Sequence, residues 1–198
     1  MKQKFLLFFL ISIAFSCSKQ QKSLPSMGKM EREFKFVSQD GKPVTPTDIE
    51  NKIYVTDFFF TTCPTICPIM KSQMIRLYER YEGNPNFILL SHSIDQNDSV
   101  EVLKAYANGL GIDSKKWLMV TGERSEIFET AKAYMESSNP DGEIVGVDAK
   151  APGGYIHSGA FILMDGNRNI RGYYDGTKEE EVNELMTDID LLLNGEDR

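Results

Sequence analysis

Ile53-Tyr54-Val55-Thr56-Asp57-Phe58-Phe59-Phe60 runs directly into Thr61-Thr62-Cys63-Pro64-Thr65-Ile66-Cys67-Pro68. The first half has the aromatic and β-branched composition of a buried central strand. From Pro68 the period changes, and Met70, Met74, Leu77, Tyr78 and Tyr81 recur as one apolar helix stripe. Gly83-Asn84-Pro85 ends that helix, and residues 87–94 supply a second apolar strand. Strand, helix, strand in this order predicts a βαβ unit with parallel strands and a right-handed crossover.

Outward from that unit the pattern continues. A second helix is expected behind Asp98, with Glu101 three residues on in capping-box spacing and Val100, Leu103, Ala107 and Leu110 as its buried face. Gly111 stops it. Residues 117–120 read as a third strand and 125–135 as a helix, while Phe34-Lys35-Phe36-Val37 is a short strand upstream. Residues 137–154 carry several Gly and Pro and read as a loop-like insertion. Two strands, 157–164 and 170–174, flank the turn Asp165-Gly166-Asn167-Arg168-Asn169 as a hairpin. Val182, Leu185, Met186, Ile189, Leu192 and Leu193 then mark a last amphipathic helix. A βαβ half, a linking helix and a ββα half make an α/β chain in the thioredoxin arrangement: a central mixed sheet flanked by helices. The cysteines stand at the carboxyl end of the first central strand, where open α/β sheets place their sites.

The amino terminus carries a different message. Lys2 and Lys4 precede an apolar run from Phe5 to Phe15, and Ser16-Cys17 follows. A basic start, a short apolar stretch and a small residue before the cut make an export signal over residues 1–16. The run is shorter than the ~20 residues that a spanning helix requires. Cys directly after the small residue resembles a lipobox, which makes Cys17 the lipid-bearing first residue of an exported, membrane-anchored lipoprotein facing the periplasm. Residues 17–30 are mostly polar and aperiodic and read as a tether, leaving 31–198 as a single domain. Losing Lys2 and Lys4 takes the net charge from −7 to −9. So acidic a domain is unsuited to nucleic acid, whose binding depends on cationic side chains neutralising phosphates.

Cys63 and Cys67 are spaced to share one target. Pro68 is favoured at the first helical position, which makes Cys67 the expected N-cap, and the positive end of the helix favours thiolate at both cysteines. A structural disulfide across so short a loop would remove little chain entropy. The alternatives are thiol–disulfide exchange and a soft metal. Two thiolates and an imidazole suit Cu(I), and the chain has two histidines, His92 and His157. His157 begins a strand expected beside 53–60, after Pro152-Gly153-Gly154, where a thioredoxin-type reductase normally has a cis-proline. That exchange of proline for histidine favours metal. His92 lies mid-strand and reads as a buried polar residue, and Met70 and Met74 as core filler. A thioredoxin-type peroxidase is disfavoured, since no Arg stands near Cys63.

Thr62-Cys63-Pro64-x-x-Cys67-Pro68, Ser93-Ile94-Asp95-x-x-x-Asp98, Trp117 with Thr121-Gly122, Tyr155-x-His157-Ser158 and Gly172-Tyr173-Tyr174 occur in that order. In these motifs the chain resembles the Sco/SenC family of copper-binding cytochrome oxidase assembly proteins, over nearly the whole domain. The resemblance implies a thioredoxin-like fold, a membrane anchor, and copper held by Cys63, Cys67 and His157. It also implies a copper metallochaperone acting on subunit II of cytochrome c oxidase, or a similar recipient, during assembly of the CuA centre. The alternative is an extracytoplasmic thiol:disulfide oxidoreductase using the same cysteines on a partner. The chain departs from many members at Thr65-Ile66 and at Ile156, positions that are not ligands.

Overall fold

A computed structural model describes residues 23–136 and 159–195. Cys17, the export signal, His157 and the glycine- and proline-rich insertion lie outside the described residues. The elements run β1 (Gly28–Lys29), β2 (Phe36–Ser38), β3 (Pro43–Val44), a 3-10 turn (Pro46–Asp48), β4 (Ile53–Phe59), α1 (Cys67–Tyr81), β5 (Phe87–Ser93), α2 (Val100–Leu110), β6 (Trp117–Thr121), α3 (Arg124–Glu136), β7 (Ala160–Met164), β8 (Asn169–Asp175) and α4 (Glu179–Leu193).

One mixed sheet has the order β1-β8-β7-β4-β5-β6-β2-β3. β4 and β5 are parallel, in register from Ile53↔Phe87 to Phe59↔Ser93, and β5 and β6 are parallel from Leu89↔Trp117 to His92↔Val120. β7 returns antiparallel beside β4, with Tyr54↔Met164 and Thr56↔Ile162, and forms the expected hairpin with β8. The βαβ and ββα halves thus meet at β4, which carries the cysteines at its end.

β4 and β5 are nearly continuous apolar runs because both faces of the sheet are covered. Val55, Phe59, Phe87 and Leu89 face a core closed by Met70, Met74 and Leu77 of α1, Leu103 of α2 and Val182, Leu185 and Ile189 of α4. Tyr54, Phe58, Ile88 and Leu90 face a second core with Phe34, Phe36 and Ile49, closed by Ile127, Ala131 and Tyr134 of α3. Leu77 is fully buried; its truncation to Ala removes about 2–5 kcal/mol by lost transfer energy and the cavity left behind.

Three local expectations need correction. Ile66, not Cys67, caps α1: its backbone is already helical and its carbonyl accepts from Met70 N at 3.0 Å, so Cys67 is the first helical residue. Ser99, not Asp98, caps α2, its hydroxyl accepting from Val102 N at 3.3 Å. Gly111 ends that helix as expected, in the left-handed conformation (φ 68°) that glycine adopts without strain. The third correction concerns the segment read as tether. Leu24 and Met30 are buried, β1 pairs with β8, and Arg171 holds the carbonyls of Leu24 (2.7 Å) and Pro25 (3.0 Å). Residues 24–30 therefore belong to the domain.

Candidate functional site

Past Phe59 the strand ends, and Cys63 N closes a turn onto Phe60 O at 3.3 Å. The chain then bends through Pro64 and Thr65 into α1. Cys63 is thus on a turn and Cys67 on the first turn of a helix, and both sit at the edge of the core beneath α1, 8% and 7% exposed. Both are free thiols. Cys63 Sγ lies 3.8 Å from Thr65 Oγ1, and the Cys67 thiol is near enough to act on the acidity of Cys63. Both cysteines belong to the one apolar cluster closed by α1.

Their acidities differ, which corrects the expectation of two thiolates. Burial pushes the Cys63 thiol up, but the Cys67 thiol, the backbone N–H groups of Thr65 and Cys67, and the Thr65 hydroxyl outweigh it and hold Cys63 below the usual thiol value. Burial pushes the Cys67 thiol up to about 12, reinforced by the hydrogen bond it gives to Cys63 and by the nearby Cys63 and Asp57 charges. The first proton leaves Cys63, and Cys67 keeps the second; a positive helix end favours thiolate only where donors point at it and water is close.

Beneath Cys67 a cavity of about 10 Å³, room for roughly one water, is lined by Asp57, Ser91, Met70, Met74 and Tyr106 among others. Met70 and Met74 are 2% and 1% exposed and fill the core as expected. Asp57 is the unexpected member. Burial raises its carboxyl to about 7, opposed by a hydrogen bond from Ser91, and its Oδ1 has no partner among the described residues. At the rim the Lys71 ammonium sits 5.0 Å from the Tyr106 ring centroid, a cation–π contact.

His92 is on the wrong face of the sheet. Its neighbours in β5, Ser91 and Ser93, face the cysteine side, so the two-residue period turns His92 toward α3. There it stacks on Phe58 (4.9 Å, 17°) and meets the Phe36 ring edge-on at 5.1 Å. Both ring nitrogens lack partners among the described residues, and burial lowers its pKa to about 3. It is a neutral core residue.

Sequence reasoning also missed what holds the turn before Cys63. Asp98, 2% exposed, accepts from Thr61 N (2.9 Å), Thr61 Oγ1 (2.5 Å) and Ser93 Oγ (2.6 Å). The spacing of Asp98 to Glu101 had pointed to a cap and hidden this role. Among the described residues no three Cys, His, Asp or Glu side chains form a metal-sized cluster, and no helix is long and apolar enough to cross a membrane.

Known proteins share this architecture. A SCO1/SenC family lipoprotein of Bacillus anthracis, known from a crystal structure, superposes with a TM-score of 0.69 at 30% identity, covering 81% of this chain and 93% of that one. BsSco, described as having a disulfide switch and as a member of the Sco family of cytochrome c oxidase assembly proteins, gives 0.70 at 26% identity, covering 87% and 98%. ScoI of Arabidopsis thaliana with copper bound shares the fold at 0.58 and 23% identity, covering 85% and 99%. The model for SCO1/SenC spans residues 22–194. That span takes in the whole sheet, the cysteine turn and all four helices: the chain belongs to the SCO1/SenC family.

Proposed function

We propose that this protein carries copper as cargo, held by the thiolates of Cys63 and Cys67 with the imidazole of His157, and passes it on during assembly of the CuA centre of cytochrome c oxidase. The observation that carries the reading is the thiol pair: two free, buried cysteines at a helix mouth, each acting on the acidity of the other. Soft thiolates with one imidazole match Cu(I). The register supports the third ligand. β7 runs antiparallel to β4, so its chain enters from the cysteine end of the sheet, and His157 stands three residues before Ala160. Three residues reach at most ~11 Å. Sulfurs at the rim of the core suit ligand exchange with a recipient such as oxidase subunit II. Export and a lipid on Cys17 agree with the lipoprotein among the relatives, and the anchored domain would then face the periplasm.

The test is anaerobic Cu(I) titration of the reduced chain from Ser18 onward. One equivalent is expected to bind. Cys63→Ala abolishes binding, and His157→Ala weakens it by at least roughly tenfold while leaving the thiol–disulfide couple intact. Unchanged affinity in His157→Ala refutes the three-ligand site.

The unequal thiols favour a second activity on the same residues. The Cys63 thiolate attacks one sulfur of a partner disulfide, and the partner's other sulfur leaves as thiolate. Cys67 then passes its proton to the partner's departed thiolate and attacks the Cys63 sulfur, which breaks the mixed disulfide and releases the partner's first sulfur as a thiolate, so the pair is oxidised by two electrons as the partner is reduced. The two activities share a starting state, because Cu(I) needs the reduced pair. Cys63→Ser removes both and His157→Ala only the first, which the titration and a stoichiometric disulfide-reduction assay read separately.

A further inference from the structure

We propose that Asp98 is the positioning residue of the thiol pair: its carboxylate ties the turn that presents Cys63 to the connection between β5 and α2, and so sets the approach of Cys63 to Cys67. The inference rests on the reading that this pair is the working site, and goes beyond it in saying what holds the pair.

The Asp98 side chain is buried but forms no ion pair among the described residues. A carboxylate taken from water costs several kcal/mol unless it is hydrogen-bonded, and here three donors supply that compensation. Two come from one residue, Thr61, through its backbone N–H and its hydroxyl. The third is Ser93 Oγ, which also accepts from Asp95 N at 3.3 Å. Helix capping does not explain the arrangement, because Ser99 caps α2 from the next position.

The placement of Thr61 gives the clamp its consequence. Pairing between β4 and β5 extends to Ile94 N→Phe59 O at 2.9 Å. Thr61 is then held at two points by Asp98, and Cys63 N closes back onto Phe60 O. Cys63 stands two residues beyond the last anchor, whereas Cys67 is fixed by α1. Releasing Thr61 frees one sulfur of the pair and leaves the other in place. Closure of Cys63 onto Cys67, by a disulfide or by a shared ion, then requires ordering that the clamp has already supplied.

The experiment equilibrates the chain from Ser18 onward with glutathione and quantifies the Cys63–Cys67 dithiol and disulfide. Thermal unfolding of the reduced form is followed in parallel. Asp98→Ala is expected to shift the equilibrium toward dithiol by roughly tenfold, and Thr61→Val by about threefold, as hydrogen bonds to a charged group are lost. Asp98→Asn is expected to stay within about twofold of the parent, since its amide can accept from Thr61 N and donate to the Thr61 hydroxyl. A role in stability alone would lower the melting temperature and leave the equilibrium unmoved. No shift in folded Asp98→Ala overturns the proposal, as does an Asp98→Asn shift as large as that of Asp98→Ala. Should Asp98→Ala not fold, an unshifted Thr61→Val overturns it instead. Copper titration of the parent separates this result from the function: a parent that binds no copper defeats the copper reading and leaves the clamp standing.

Discussion

At the scale of single residues, two buried ionisable groups on opposite faces of the sheet give stability opposite dependences on pH. Asp57 has its carboxyl raised by burial to about 7 from 3.8. The charged form is the disfavoured one, so Asp57 costs nothing below the unfolded value of 3.8, and stability is lost as pH rises through 7. Asp57→Asn removes that charge. We expect it to stabilise the protein by about 1–4 kcal/mol at pH 8 and by little at pH 4, read by urea unfolding at the two pH values. His92 runs the other way. Its pKa falls to about 3 from 6.5, so stability is intact above 6.5 and is lost as pH falls toward 3. Because the two slopes oppose each other between 3.8 and 6.5, the parent protein hides both, and single substitutions are required. His92→Phe keeps an aromatic ring against Phe58 and Phe36 and removes two unpartnered nitrogens. A gain of about 1–3 kcal/mol at pH 7 is expected, widening as the pH is lowered. A His92→Phe protein whose stability stays as flat as the parent's between pH 6.5 and 3.8, instead of rising as the pH falls, would contradict this assignment.

At the scale of elements, what periodicity can express was legible and what distant donors decide was not. The apolar stripe of α1 and the runs of β4 and β5 follow from which faces are covered, and a local pattern records that. The turn, the cysteines and the helix after them were readable for the same reason. Caps are different. Asp98 and Ser99 are adjacent and both are good capping residues; the choice fell to Ser99 because Thr61 and Ser93 claim the Asp98 carboxylate, and the α2 pattern contains no trace of them. Ser99→Ala should cost about 1 kcal/mol and leave the thiol equilibrium unchanged. Asp98→Ala, by contrast, changes the equilibrium. The same distinction explains Asp57. An acidic residue inside a strand of Val, Phe and Thr is visible in the sequence, but its place under Cys67 emerges only from the packing of α1 on β4.

At the scale of the molecule, the packing of residues 24–30 changes how an anchored domain could move. Composition assigns residues 17–30 to a tether because that stretch as a whole is mostly polar, and Leu24 and Met30 look like isolated apolar residues there. Both are buried, Leu24 with the core under α1 and α4, and Met30 with the core under α3. With a lipid on Cys17, only the six residues 18–23 remain between anchor and domain, a reach of at most ~22 Å. The leash would then end at β1, on the sheet edge remote from β3, and hold that edge toward the bilayer. Arg171 is the fastening: it donates to Leu24 O and Pro25 O and pairs with Asp165 at 3.1 Å, with both side chains 12% exposed. Arg171→Ala removes these three contacts and leaves Asp165 without that cation. It should lower stability by about 1–3 kcal/mol. Amide hydrogen exchange should locate the loss, speeding at Met27 and Met30, whose N–H groups bond to Ile170 O (2.8 Å) and Arg168 O (2.9 Å), and not at Val55 or Leu89 in the central strands. Uniform acceleration across the sheet would mean that the segment and the domain unfold as one unit, and that the leash has no independent release.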